Sequence, residues 1–199
     1  MNELNRNYWE TRWEKGETGW DIGHASPPIT EYFDQVPNKA ARILIPGCGN
    51  AWEAEYLNQQ GFTNVFVIDI SQNALDEFAK RVPDFPKEHM ICDDFFAHDQ
   101  QYDYIVEQTF FCALEPEERT AYAEKTHALL SDGGKLVGVL FDRNFDGGPP
   151  FGGNEAEYRT YFASLFDVRI MAPCTNSIKP RLGSELFICL KKQALRSNT

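Results

Sequence analysis

The sequence contains no CxxC pair, no cysteine–histidine cluster at zinc-ligand spacing and no long apolar run. Its five cysteines, Cys48, Cys92, Cys112, Cys174 and Cys189, are odd in number and scattered, and His24, His89, His98 and His127 keep no metal-binding interval. These absences exclude a zinc finger and a disulfide-stapled miniprotein, and no metal is expected. Free thiols in apolar segments point to a reducing, cytoplasmic compartment. No window approaches the roughly 18 consecutive apolar residues of a membrane span, so no membrane partner is expected. The start, Met1-Asn2-Glu3-Leu4-Asn5-Arg6, lacks the apolar stretch of a secretory signal. Basic side chains are also few: 19 Lys and Arg stand against 30 Asp and Glu, a formal net charge of −11. That balance argues against a nucleic-acid partner, because phosphate affinity rests on Lys and Arg. A small neutral or cationic ligand is easier to accommodate.

What is present belongs to a globular chain: 42% of the 199 residues are hydrophobic and 14% aromatic. A disordered chain of this charge is poorer in aromatic and β-branched residues. The length suits one domain with a full core. Apolar runs alternate with helical patterns. Arg42–Pro46 reads as a strand that ends in the turn Gly47-Cys48-Gly49. Residues 51–60 then read as a helix stopped by Gly61, and Val65–Ile70 as a second strand. Ser71 can cap a helix through Ala74, Leu75, Phe78 and Ala79, which Pro83 breaks. A third strand and turn cover 89–96 and a fourth strand 102–110. Pro116 opens a helix closed by Gly133-Gly134, and 135–141 is a fifth strand. A helix over 154–165 carries Tyr158, Tyr161, Phe162 and Leu165 on one face, and 168–171 and 185–190 are closing strands. Alternation of this kind predicts an α/β fold with a mostly parallel, doubly wound sheet. The last two strands have no helix between them and predict an antiparallel edge hairpin.

Gly47-Cys48-Gly49 sits between the first strand and first helix, where an open α/β sheet binds ligands. Glycine lets the backbone turn sharply and approach a ligand closely. Asp69 lies twenty residues after Gly49, at the end of the second strand, where a carboxylate accepts hydrogen bonds from ribose hydroxyls. Dinucleotide dehydrogenases share this pair, but Trp52 occupies the place of their third glycine and nothing else suggests a pyrophosphate cradle. Asp93-Asp94-Phe95-Phe96 follows the third strand. Asp94 is expected to accept the adenine amine there, with Phe95 stacked on the ring. A ribose acid and an adenine acid without a phosphate site describe S-adenosylmethionine.

Trp9 and Trp13 are four apart on one helical face, and Trp20 follows in the turn Thr18-Gly19-Trp20-Asp21-Ile22-Gly23. Stacked tryptophans are commonly core, but aromatic faces also stabilise a sulfonium without attacking it. Five motifs then occur in order: Tyr8-Trp9-Glu10-Thr11-Arg12-Trp13, Gly19-Trp20-Asp21-Ile22-Gly23, Ile45-Pro46-Gly47-Cys48-Gly49, Phe110-Phe111-Cys112-Ala113-Leu114-Glu115-Pro116 and Gly147-Gly148-Pro149-Pro150-Phe151. In these the chain resembles the thiopurine S-methyltransferase superfamily over nearly its whole length, most closely the plant-type halide/thiol methyltransferases. The resemblance implies a class I methyltransferase (Rossmann-like) fold with strand order 3-2-1-4-5-7-6. It implies one domain over 1–199, with an N-terminal lid over 1–35 and a core over 40–192. It places Trp9, Trp13 and Trp20 around the methionyl and sulfonium end, Gly47 and Gly49 along it, Asp69 at the ribose, and Asp94 with Phe95 at the adenine. Gln108 departs from the pattern, since plant-type members carry tyrosine there and thiopurine enzymes arginine. Phe111 and Phe151 are expected to line the acceptor pocket.

The expected reaction is in-line methyl transfer to a small soft nucleophile, a thiol or hydrogen sulfide, with S-adenosyl-L-homocysteine as the product. Thiols have a pKa of about 8.5 and ionise partly near neutrality, so no strong base is required. Desolvation and alignment supply the acceleration. Glu107 and Gln108, ending the fourth strand, either orient the acceptor or support the cofactor amine. Cys112 has no histidine partner in sequence reach and reads as a small buried hydrophobe. The alternatives are a halide or thiopurine methyltransferase, a cofactor-binding module without transfer, and a dehydrogenase. A core plus a short lid nearly exhausts the chain, so the acceptor is expected to be a small molecule; a monomer or weak homodimer is expected, though the sequence carries no signal for oligomeric state.

Overall fold

Seven strands hydrogen-bond into one sheet in the order β3-β2-β1-β4-β5-β7-β6 in a computed structural model that describes residues 4–193. The strands are β1 (Arg42–Pro46), β2 (Asn64–Asp69), β3 (Met90–Cys92), β4 (Tyr102–Gln108), β5 (Leu130–Phe141), β6 (Phe166–Pro173) and β7 (Glu185–Lys192). Neighbours from β3 through β5 run parallel, and β7 lies antiparallel to both β5 and β6. This is the expected class I methyltransferase topology, closing hairpin included. The outermost residues of the expected 1–199 domain and 1–35 lid, 1–3 and 194–199, lie outside the described residues.

The helices are α1 (Arg6–Glu14), α2 (Pro27–Asp34), α3 (Trp52–Gln59), α4 (Gln72–Arg81), α5 (Arg119–Leu129) and α6 (Glu155–Phe162). Side chains alternate across each strand, so β1 sends Ile43 and Ile45 to one face and Leu44 to the other. Ile43 and Ile45 join Val65, Val67 and Val106 under α2, α3 and α4, through Phe33, Leu57 and Phe78. Leu44 joins Ile68, Ile105 and Leu136 under α5 and α6, through Tyr122 and Phe162. Burial on both faces explains why β1 and β2 read as unbroken apolar runs.

Two local features differ from the sequence pattern. No element was expected over 24–39, yet α2 forms there. Pro27 and Pro28 start it, where a missing N–H costs nothing, and Pro28, Ile29 and Phe33 bury its inner face. β5 begins at Leu130, not at Lys135, because Tyr102 pairs with Leu130 and Tyr104 with Lys135. Residues 131–134 therefore bulge out of the ladder, with Gly133 at φ +76°. As the sequence pattern predicts, β3 connects to β4 through turns without a crossover helix, which is permissible because those two strands are not neighbours.

β1 is the switch point of the winding: β2 and β3 extend the sheet to one side, β4 and β5 to the other. The crevice at its carboxyl edge is where such sheets bind ligands.

Candidate active site

The chain leaves β1 through two left-handed glycines, Gly47 at φ +54° and Gly49 at φ +52°. At Gly47 a side chain is excluded on two counts, since a Cβ would also stand 2.2 Å from the Phe110 ring. The turn is tied to the end of β2. Asp69 Oδ2 accepts the Gly49 N–H and Oδ1 the Ser71 N–H, each at 2.9 Å. Burial pushes the Asp69 carboxyl above its ordinary value, and the two amide hydrogen bonds pull it back. Each oxygen keeps a further lone pair for a ligand hydroxyl.

Helix α1 and the following turn bring three indoles together over this edge. Asn5 caps α1 by accepting the Tyr8 N–H at 3.2 Å. The Trp20 ring centroid lies 5.5 Å from Trp9 and 6.1 Å from Trp13, both edge-on. The Arg12 guanidinium sits 5.6 Å from the Trp20 ring, and Arg181 holds Trp20 by donating to its carbonyl at 2.9 Å.

These groups enclose a cavity of about 650 Å³, within the usual range for cofactor sites. Its lining includes Trp9, Trp13, Trp20, Gly47, Gly49, Asp69, Asp94 and Phe95, so eight of the sequence-predicted residues share one site. The lining also includes Asp93, Glu118, Phe141, Arg143, Phe145, Pro149, Pro150, Pro180 and Arg181, with Cys112, Ala113 and Leu114 from the turn after β4.

A family model described as Thiopurine S-methyltransferase (TPMT) matches residues 4–184. The chain belongs to the thiopurine S-methyltransferase family. It is an S-adenosylmethionine-dependent methyltransferase. Probable thiol methyltransferase 2 of Arabidopsis thaliana is 30% identical to it over 206 aligned residues, covering 100% of this chain and 91% of that protein. Thiocyanate methyltransferase 1 of Brassica oleracea is 34% identical, with 72% of this chain and 66% of that protein aligned. Among solved structures, the fold is similar to that of Burkholderia thailandensis 1,6-didemethyltoxoflavin-N1-methyltransferase, which holds 1,6-didemethyltoxoflavin and S-adenosylhomocysteine. The TM-score is 0.76 at 18% identity, over 95% of this chain and 87% of that one.

This member of the thiopurine S-methyltransferase family has the features its cofactor requires: a backbone cradle at Gly47, a carboxylate with free lone pairs at Asp69 and aromatic faces for a sulfonium. Four other expected site residues are placed differently. Glu107 does not reach the cavity. Period-two alternation turns it into the core beside Tyr122, where Oε1 accepts the Phe110 and Phe111 amides at 2.9 and 2.8 Å and Oε2 the Tyr122 hydroxyl at 2.6 Å. Burial pushes its carboxyl up to about 7 against those three bonds. It shapes the turn after β4. Phe111 is also core, edge-on to Tyr122 and Tyr158 with the Arg119 guanidinium 4.9 Å from its ring. Phe151 leaves the cavity wall to Pro149 and Pro150, and its amide donates to the Cys112 carbonyl at 2.7 Å. Gln108 faces a second, smaller cavity.

Phe95 lines the wall but is only 4% exposed, packed between Phe96, Phe110 and Tyr122. Half-buried Phe96 shares the wall with it. The pattern did not single out Arg12, Thr109, Arg143 or Arg181. Arg143 follows β5 at the sheet's carboxyl edge, a position that marks ligand contacts in this fold. Arg181 comes from the β6–β7 loop, and no local motif announces it. Cys112 lines the cavity, but burial pushes its thiol up to about 12, so it stays protonated and is no nucleophile.

Proposed function

We propose that this methyltransferase acts on a small soft nucleophile that arrives ionised, a thiolate or hydrosulfide. The carrying observation is the acceptor wall. It is the cavity lining that is left once Trp9, Trp13, Trp20, Gly47, Gly49, Asp69, Asp93, Asp94 and Phe95 are given to the cofactor side; among the described residues it presents rings, prolines and guanidinium groups, and no histidine. Its one carboxylate, Glu118, accepts the Glu115 amide at 3.2 Å within a capping box. A wall without a free base suits a nucleophile that needs none, and thiols with a pKa of about 8.5 fit that condition. Thiol and thiocyanate methyltransferases among the relatives support the same class.

In this reading Asp69 accepts the ribose hydroxyls, Asp94 accepts the adenine amine, and Phe95 with Phe96 covers the ring. Trp9, Trp13 and Trp20 close over the sulfonium, while Gly47 and Gly49 meet the methionyl chain through their backbone. When bound, S-adenosylmethionine supplies an electrophilic methyl group. Phe141, Phe145, Pro149 and Pro150 exclude water from the anion, raising its reactivity. Arg143 attracts and aligns it, while Arg181 holds Trp20 in place. Phe111 and Glu107 act on the pocket indirectly, by fixing the turn after β4.

Labelled-methyl transfer to hydrogen sulfide, small thiols, thiopurines, thiocyanate and iodide tests the proposal. Sulfide or a thiol is expected to exceed iodide by at least about tenfold in kcat/KM, a difference of ~1.4 kcal/mol in transition-state binding. Cofactor binding with no methylated product from any of them would favour a binding module instead.

A further inference from the structure

Arg119, the first residue of α5, is 2% exposed and takes no part in the cavity lining. Nη1 donates to Glu157 Oε1 at 2.6 Å and Nη2 to the Gly152 carbonyl at 2.8 Å, while the guanidinium covers the Phe111 ring. Nε is buried with no hydrogen-bond partner among the described residues. A buried ion pair gains little stability over packed apolar side chains, because desolvating the charges offsets their attraction. An unpaired donor adds to that cost. Filling the core therefore does not account for a guanidinium here. Its rigid fork does, since it joins α6 to one particular backbone carbonyl.

That carbonyl belongs to the loop over 142–154, between β5 and α6, which brings Arg143, Phe145, Pro149 and Pro150 to the cavity. The two limbs of the loop are stitched together and to the core. The Gly153 amide donates to the Arg143 carbonyl at 3.0 Å, and the Phe151 amide to the Cys112 carbonyl at 2.7 Å. Gly152 lies so close to the other limb that a Cβ on it would overlap the Arg143 carbonyl oxygen. A group that holds Gly152 therefore holds the Arg143 backbone as well. The far end of the clamp is itself anchored. The Glu157 amide donates to Asn154 Oδ1 at 3.0 Å, and its Oε1 also accepts the Tyr161 hydroxyl at 3.2 Å.

We infer that Arg119 is a positioning residue for the methyl acceptor: by tying the Gly152 carbonyl to Glu157, it sets where Arg143, Pro149 and Pro150 stand in the acceptor wall. It acts through the loop and touches neither the cofactor nor the acceptor. The cofactor side, built on the ends of β1, β2 and β3 and on α1, does not depend on this clamp. The inference rests on reading these loop residues as the acceptor wall, whereas the clamp itself is a property of the fold.

Arg119→Met removes every donor and keeps much of the bulk. Arg119→Lys keeps the charge and loses the fork, and it carries the same test should the methionine variant fail to fold. Amide hydrogen exchange reads the clamp without any acceptor: the Phe151 and Gly153 amides are expected to exchange about tenfold faster, and those within β4 at an unchanged rate. Labelled-methyl transfer to the acceptor that the wild-type enzyme methylates fastest, with calorimetric titration of S-adenosylhomocysteine, reads the consequence. The acceptor KM should rise about fivefold or more while S-adenosylhomocysteine affinity stays within about twofold. The rise should be smaller in an Arg143→Gln background, as for two changes that act through one contact. Faster exchange throughout the sheet, with S-adenosylhomocysteine weakened as much as the acceptor, means that Arg119 only supports the fold and overturns the inference. Unchanged loop amides, or an equal KM rise in both backgrounds, also overturn it. Faster loop exchange with an acceptor KM that neither Arg119→Met nor Arg143→Gln moves overturns it too, and places the fault in the reading of the acceptor wall instead of the clamp.

Discussion

Glu10 reaches Ser71 across 61 residues of chain: its Oε2 accepts the serine hydroxyl at 3.0 Å while Oε1 accepts the Gln72 amide at 2.7 Å. A carboxylate from α1 thus sits at the positive end of α4, two residues beyond Asp69. The same charge contributes to the raised Asp69 carboxyl. Docking of the N-terminal segment and binding at the ribose edge therefore belong to one electrostatic unit. Glu10→Ala is expected to weaken S-adenosylhomocysteine binding about tenfold, from the loss of charge-assisted hydrogen bonds. Core stability should fall by only about 1 kcal/mol, the usual cost of a lost helix cap. Titration calorimetry and urea unfolding measure the two separately. Unchanged affinity would show that α1 is held without this contact.

Glu107 makes stability depend on pH in an unusual direction. Its folded-state pKa of about 7 lies above the ordinary 4.5, so folding favours the protonated form. The stabilisation is fully present below about pH 4.5 and is lost as pH rises through 7. At about 1.4 kcal/mol per pH unit, the loss amounts to ~3 kcal/mol. Glu107→Gln removes the titration and keeps an oxygen for the Phe110 and Phe111 amides. Between pH 5 and pH 8 the wild-type protein should lose up to ~3 kcal/mol relative to the variant. Urea unfolding at both pH values reads this, and a constant difference refutes it.

Thr109 follows β4 at φ +60°, a left-handed conformation that a β-branched residue rarely adopts. It borders both cavities, so the strain lies where ligands meet. Thr109→Gly relieves a cost of about 1–2 kcal/mol, offset by roughly 0.5–1 kcal/mol of added chain entropy. The net expectation is a slightly higher Tm together with a several-fold lower kcat, because a glycine holds the acceptor-side turn less firmly. A lower Tm in scanning calorimetry would mean that the threonine side chain contributes more than its backbone costs.

The cofactor half of the site was legible because its signals are local. Gly47-Cys48-Gly49 and Asp69 each stand at a strand end, and strand ends converge in this fold. Phe111, Phe151, Glu107 and Gln108 were less so. Adjacent strand residues point to opposite faces, so Glu107 and Gln108 do not share a role. The acceptor wall depends on Arg181, which is brought in by the pairing of β6 and β7, a contact that no local sequence window contains. α2 escaped because it is short and depends on burying Ile29 and Phe33 more than on its own periodicity.

The two arginines of the acceptor wall divide in function, which gives the acceptor class its sharpest check. Arg181 is occupied: it donates to the Trp20 carbonyl at 2.9 Å, contacts Glu185 at 3.5 Å, and leaves 12% of its side chain exposed. Arg143 is exposed, with its guanidinium 4.7 Å from the Phe145 ring and no ion-pair partner among the described residues. Removing the two charges should therefore have different consequences. Arg143→Gln is expected to raise KM for an anionic acceptor about tenfold while leaving cofactor affinity and Tm unchanged. The effect should shrink with added salt, because an exposed charge is screened over about 8–10 Å. Arg181→Gln should instead cost about 3 kcal/mol of stability, by leaving Glu185 buried without its cation. It should also weaken cofactor binding by releasing Trp20. Steady-state kinetics at two salt concentrations, with calorimetry on both variants, separates these outcomes. Equal behaviour of the two variants would mean that the wall recognises its acceptor by shape alone, and that the thiolate's charge is neutralised elsewhere.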